Sequence, residues 1–349
     1  MKDNAEMVHH FETIGVGEPQ RPALKQKRGM FTGIALTLAL VMGSVTLAQA
    51  DGWLSHLGAG EFSNEGNKLK FALDDTKWIS FGAGYRGSYI FNERVGASGY
   101  KFNDSYSNDN ARFYVNGQLH KYIKFELNTE CFFCNNTSSG DNPKMIYTIL
   151  DAIGKFEYNR YFNIWGGRML VPTERGELNG PFYHATHDGF KTPFFQSDYS
   201  IKVGHGGAGR YGRDDGGTFW GSVEPGFGTL QYSVGVFAGL RSRNNVGPNQ
   251  NGNVMVAGRL TYNFLNPENN PGYYTSGTYY GKAGDILAVA VGASHQKDGA
   301  GSFANRSDFT GIVGDVLFEK VMPDNMGVFT MNGEYKRFWA DYGTAAFAD

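Results

Sequence analysis

From Ile79 to Asn92 the chain alternates. Ile79, Phe81, Ala83, Tyr85, Gly87, Tyr89 and Phe91 fall on one side. Ser80, Gly82, Gly84, Arg86, Ser88 and Asn92 fall on the other, with Ile90 the one misfit. A helix would scatter these residues around its axis, whereas a strand sends successive side chains to opposite faces. The pattern recurs. Phe113, Val115, Gly117 and Leu119 oppose Arg112, Asn116, Gln118 and His120, and Ile123, Phe125 and Leu127 oppose Lys124, Glu126, Asn128 and Glu130. Leu230, Tyr232, Val234, Val236 and Ala238 oppose Gln231, Ser233 and Gly235. Val254 to Phe264 and Phe329 to Tyr335 repeat it against Asn253, Arg259, Thr261 and Asn263, and against Thr330, Asn332, Glu334 and Lys336.

A two-faced strand suits a soluble sandwich as well as a membrane barrel. Three features favour the barrel. The strands are long enough for a tilted crossing of the hydrocarbon core. Aromatic residues sit at strand ends, among them Trp78, Tyr89, Phe91, Tyr122, Tyr158, Tyr161, Phe264, Phe338 and Trp339, as in the girdles at a membrane's two interfaces. Short turns alternate with long polar stretches at 92–110, 131–144, 171–198, 240–252 and 265–284. Short turns on one rim and long loops on the other are the outer-membrane arrangement. Composition agrees. Gly supplies 49 of 349 residues, about twice the ordinary share, with no three-residue period. Mean hydropathy is −0.39, which argues against a multi-span helical protein. A formal charge of −2 gives no reason to expect nucleic acid as a partner.

Lys25, Lys27 and Arg28 precede an apolar run from Met30 to Leu47 that ends in Ala48-Gln49-Ala50. This is the layout of a secretory signal peptide; the alternative is a single transmembrane anchor. Residues 1–50 are therefore read as an N-terminal extension and signal peptide, and 51–349 as the barrel. The expected fold is an all-β transmembrane antiparallel β-barrel. At about 19 residues per strand with its connection, the exported part would hold ~16 strands. The last clear strand ends near Trp339 and the chain stops at Asp349, so a C-terminal truncation is expected.

Gly212-Arg213-Asp214, followed by Gly226-Phe227-Gly228-Thr229-Leu230-Gln231-Tyr232 and Ser233 to Gly239, resembles the GRD…GxLxYxxGVFNG stretch of the phosphate-selective porin O/P family. Ala238 stands where that family often carries Asn. Phe113–Glu130, Gly167–Arg175 and Tyr273–Gly281 resemble further parts of it more loosely. The resemblance spans roughly 65–340. It implies a homotrimeric outer-membrane channel among outer-membrane lipids, in a Gram-negative cell, with small anions such as phosphate among the permeants. It implies no enzyme activity and no cofactor.

Alternation assigns Arg86, Arg112, Lys124, Arg241, Arg259 and Lys336 to the lumen, against Glu126, Glu130, Glu224 and Glu334. Arg168 joins the basic set if a bulge at Gly166-Gly167 turns it inward. Seven bases against four acids give at most a mild anion preference, and general diffusion and cation preference stay open. The stretch 171–198, with Glu174, Arg175, Glu177, His184, His187, Asp188 and Lys191, is the candidate constriction; the alternative is an external surface loop.

Cys131-Phe132-Phe133-Cys134 offers two thiols in an oxidising compartment, which reads as a local disulfide. It lacks the following His of a haem site and the further ligands of a zinc site. His184-Ala185-Thr186-His187-Asp188 is a weak metal motif, and Gly204–Gly209 lacks the Lys-Ser/Thr of a phosphate loop. The rival functions are a barrel sheath for an exported electron-transfer cytochrome, an outer-membrane β-barrel enzyme, and a secreted β-sandwich adhesin.

Overall fold

A computed structural model describes residues 61–65, 68–92, 103–132, 146–180, 182–184, 212–239, 252–268, 270–301 and 304–340. The expected leader at 1–50, Arg241, Cys134, His187, Asp188, Lys191 and Gly204–Gly209 lie outside the described residues.

The described chain is all-β. Thirteen strands form one antiparallel sheet in strict sequence order, β1 (Glu61–Glu65) to β13 (Val328–Trp339). Between them come β2 (Lys68–Asp74), β3 (Lys77–Asn92), β4 (Asn103–His120), β5 (Ile123–Phe132) and β6 (Ile146–Glu157). Then follow β7 (Asn163–Leu170), β8 (Arg213–Val223), β9 (Thr229–Phe237), β10 (Met255–Asn263), β11 (Ile286–Gly301) and β12 (Arg306–Val321). One helical turn, α1 (Arg175–Leu178), follows β7. Among the described residues no helix is long and apolar enough to cross a membrane, which leaves crossing by strands untouched.

The strand faces follow the alternation. Phe81, Tyr85, Phe113, Ile123, Leu127, Val234, Val236, Val256, Leu260 and Met331 are exposed on one face. Arg112, Asn128, Glu130, Ser233, Arg259, Thr261 and Asn263 are buried on the other. The sheet is thus apolar towards its surroundings and polar within, the reverse of a water-soluble core.

The sheet rolls around its polar face. The Gly176 N–H donates to Glu334 Oε1 on β13 at 2.6 Å, and Phe182 lies over Gly84 on β3. Six residues of chain reach at most ~21 Å, whereas in a flat sheet β3 and β13 would be about 48 Å apart. One short segment can touch both only if the sheet curls into a barrel-like wall. Glycines permit close packing of this wall. A Cβ at Gly292 of β11 would collide with the Thr173 carbonyl oxygen, so the segment after β7 sits directly on backbone there.

Strand parity corrects the expected placement of the loops. The connections β2–β3, β4–β5, β6–β7, β8–β9 and β12–β13 are short and share one rim. The 22-residue connection 264–285 between β10 and β11 leaves from that same rim, not from the rim of the other long loops. Thirteen strands stand among the described residues, where ~16 were expected of a complete barrel.

Candidate constriction site

Two segments enter the rolled sheet from opposite rims and lock together inside it. The first, Val171–His184, comes down from the end of β7. The second, 264–285, comes up from the end of β10. The Tyr273 hydroxyl donates to the Leu170 carbonyl, and the Leu170 N–H donates to the Tyr274 hydroxyl at 3.3 Å. The Gly277 N–H reaches Asn179 Oδ1 at 2.7 Å and the Tyr183 carbonyl at 2.9 Å; the Thr278 N–H also reaches that carbonyl at 3.0 Å. The Tyr280 hydroxyl donates to the Phe182 carbonyl at 2.9 Å.

Arg175, on α1, is the centre of the lock. Its Nε donates to Asp315 Oδ1 at 2.9 Å, and its fork grips Glu268 and the Ser276 carbonyl, the latter at 2.8 Å. Arg259 on β10 holds the other side of Asp315, with Nη2 to Oδ1 at 2.8 Å, and also donates to the Thr173 carbonyl at 2.7 Å. Arg175 and Asp315 are 1% and 0% exposed. Burial alone would push the Arg175 guanidinium down, but Glu268 and Asp315 outweigh it and hold the group above its ordinary value. Two cations and two carboxylates therefore neutralise one another out of reach of water. Lys336 of β13 pairs with Glu174 at 2.9 Å and with Glu334 at 3.1 Å, tying the same segment to the last strand. Glu319 of β12 secures the second segment, accepting from the Thr278 hydroxyl and the Tyr279 N–H, each at 2.9 Å.

An apolar cluster backs the lock against β6–β12. Trp165, Met169, Leu170, Val171, Leu178, Phe237, Met255 and Tyr273 are buried together. Facing inwards, they carry the weight that a soluble protein would place in its core.

The expected lining residues separate into groups. Arg112 is buried on Glu130, which also accepts from Asn110 at 3.1 Å. Lys124 faces inwards and pairs with Glu157 at 2.6 Å; its side chain is 33% exposed. Arg86 faces inwards and is half-buried. Arg259 and Arg175 are inside, but their burial makes them fasteners of the lock and not open lining. Arg168 corrects the expectation: neither of its ladders shifts register, so it shares the outward face of Ile164 and pairs with the exposed Asp215 at 3.3 Å. Glu224 also falls outside the lumen set: it lies exposed in the β8–β9 turn and pairs with Arg160 at 2.8 Å.

Sequence reading missed half of the inner charge. Asp151 of β6 holds Arg213 of β8 at 2.9 Å and accepts from Asn128 at 2.9 Å. Lys155 pairs with Glu126 and lies 4.0 Å from the centre of the Trp165 ring. Asp214, Asp315 and Glu319 add buried acids on β8 and β12. The expected seven-to-four excess of bases therefore does not survive: Arg112, Lys124, Lys155, Arg175, Arg213, Arg259 and Lys336 are each paired with an acid, and Asp214 and Glu319 add further acids. The one signal available was the Gly212-Arg213-Asp214 stretch, which marks the start of β8.

Cys131 is buried and disulfide-bonded, and Cys134 is the only other cysteine in the chain. Among the described residues, no group of three or more His, Cys, Asp or Glu could hold a metal ion. No protein-family model matches this sequence, and no curated protein matches it.

Proposed function

We propose that this chain is an outer-membrane porin, a passive channel for small hydrophilic solutes with no covalent chemistry. The observation that carries the reading is the inverted distribution of side chains: an apolar outer face of long strands around a polar, charged interior. Two locked segments inside that wall supply a constriction, the part of a porin that sets what passes. The inner charges sit in opposed pairs, Arg112 with Glu130, Lys155 with Glu126, Lys124 with Glu157, and Arg213 with Asp151. Pairs closed this tightly within the wall leave little net charge to select an ion, which favours general diffusion over strong phosphate selection. The family resemblance adds a homotrimeric assembly to the proposal.

Liposome swelling tests it. Vesicles carrying the folded protein should swell in isosmotic solutions of small solutes, at rates that fall with solute size. Vesicles that stay as tight as protein-free controls would refute the channel.

A further inference from the structure

We propose that Tyr183 and Tyr280 form a stacking platform in the constriction that holds the ring of a neutral sugar during passage. The inference rests on the channel reading and names its solute class.

The second inward segment carries four tyrosines, and they divide sharply. Tyr273 and Tyr279 are buried at 1% and 6% exposure, and the hydroxyls of Tyr273, Tyr274 and Tyr279 are raised by burial. Tyr280 is 54% exposed, and Tyr183 on the opposing segment is 48% exposed. Their ring centres are 6.5 Å apart and the planes are tilted by 44°. The two rings therefore lie side by side with open faces, one on each inward segment.

That exposure is built. The Tyr183 carbonyl accepts from two N–H groups of the facing segment, and the Tyr280 hydroxyl is fixed on the Phe182 carbonyl. Tyr280 holds a φ of 52°, a backbone state that glycine takes freely and tyrosine does not. A tyrosine kept in such a state, with its ring half out of contact, is held there by its surroundings and is a candidate functional position. Phe182 itself seats on Gly84 of β3, where a Cβ would stand 2.7 Å from the ring and 3.2 Å from the Tyr114 hydroxyl. The platform is thus wedged between the lock and the opposite wall.

The ligand chemistry follows from what surrounds the rings. Every cyclic sugar presents a C–H face that packs on an aromatic ring, and an edge of hydroxyls that needs polar partners. The platform supplies the rings, and the half-buried Arg86 lies close enough for its charge to act on the Tyr280 hydroxyl. The paired charges of the interior leave no strong field to select a free ion, so a neutral polyol is not disfavoured.

The experiment is current block by maltose in planar bilayers, with mannitol, which has hydroxyls but no ring, as the comparison. Maltose should reduce the wild-type current at a concentration at least tenfold below mannitol. Tyr183→Ala and Tyr280→Gly should each raise the half-blocking concentration about tenfold or more. Glycine at 280 suits the positive φ, and Tyr280→Phe, which keeps the ring, should remain near wild type. Equal action of maltose and mannitol, or unchanged block in both ring-deleting variants, would overturn the platform. A fluorescence titration of the detergent-folded protein with maltose separates the two readings. Binding that Tyr280→Gly abolishes, in a protein that gives no current, would sink the channel and keep the site; current without maltose binding would sink the site and keep the channel.

Discussion

Replacing Asp315 with alanine should unlock the constriction while leaving the wall standing. Asp315 accepts from Arg175 and from both terminal nitrogens of Arg259. Both arginine side chains are 1% exposed, so solvent screening does not soften the loss. With Asp315 gone, Arg175 keeps Glu268 but Arg259 loses its carboxylate, and one buried positive charge is uncompensated. Removing one partner of a buried pair costs about 3–5 kcal/mol. That shifts the balance between docked and released segment by roughly two to three and a half orders of magnitude. The strand ladders do not pass through Asp315's carboxylate, so the sheet should persist. The assay is limited proteolysis of the folded protein, read at 171–184, beside single-channel recording. Asp315→Ala should be cut there at least a hundredfold faster and should give noisier, larger conductance steps. The double variant Arg259→Met with Asp315→Leu should restore protection, because it leaves Arg175 paired with Glu268 and removes the stranded charge. Wild-type protection and wild-type steps in Asp315→Ala would refute the claim that this cluster holds the segment.

Further outcomes follow from other parts of the wall. Gly292→Val should undock the segment by collision with the Thr173 carbonyl, at a cost of about 1–3 kcal/mol, seen as a lower temperature of unfolding on semi-native gels. Thiol labelling of the folded protein should give no signal without reductant, because Cys131 is in a disulfide; labelling without reductant would contradict it. Asp285, at the mouth of the second segment, is held below the usual carboxylate range first by the hydrogen bond from Lys320 and then by the Val321 N–H. Its contribution is present above its unfolded value of about 3.9 and is lost as the pH falls through the lower folded value. Unfolding midpoints of wild type and Asp285→Asn should therefore differ at pH 5 and converge on acidification; a constant difference down to pH 2 would count against the pairing.

How far the sequence reveals this architecture depends on how sharply the two faces of each strand differ. In β3, β5, β9, β10 and β13 one face is apolar and the other mostly polar, so the alternation is plain. In β11 it fails, because Ile286, Ala288 and Ala290 point inwards against the docked segments. Both faces of that strand are then apolar or small, and period two leaves no trace in polarity. β6 hides for a related reason: Leu150 and Ile153 are buried beside Asp151 and Lys155 on one inward face. Asp151 was invisible for that reason, and with Asp214, Asp315 and Glu319 of β8 and β12 also left out, the charge tally leaned basic. The misplacement of 264–285 is a parity error, since which rim a loop leaves from depends on counting every strand before it. Arg168 teaches the converse. Its own parity with Ile164 was the correct signal, and the bulge invoked to override it is absent from both ladders. Arg175 was found by type and position, but its burial came from partners 93 and 140 residues away along the chain, beyond any local pattern.

If this inside-out wall conducts in a membrane, with its inner charges paired between nearby strands, the decisive measurement is single-channel recording in a planar bilayer under a KCl gradient. Discrete conductance steps are expected, with a reversal potential close to zero, the mark of a channel without strong preference for either ion. Silence from folded protein, or a reversal potential near the limit for either ion, would contradict it.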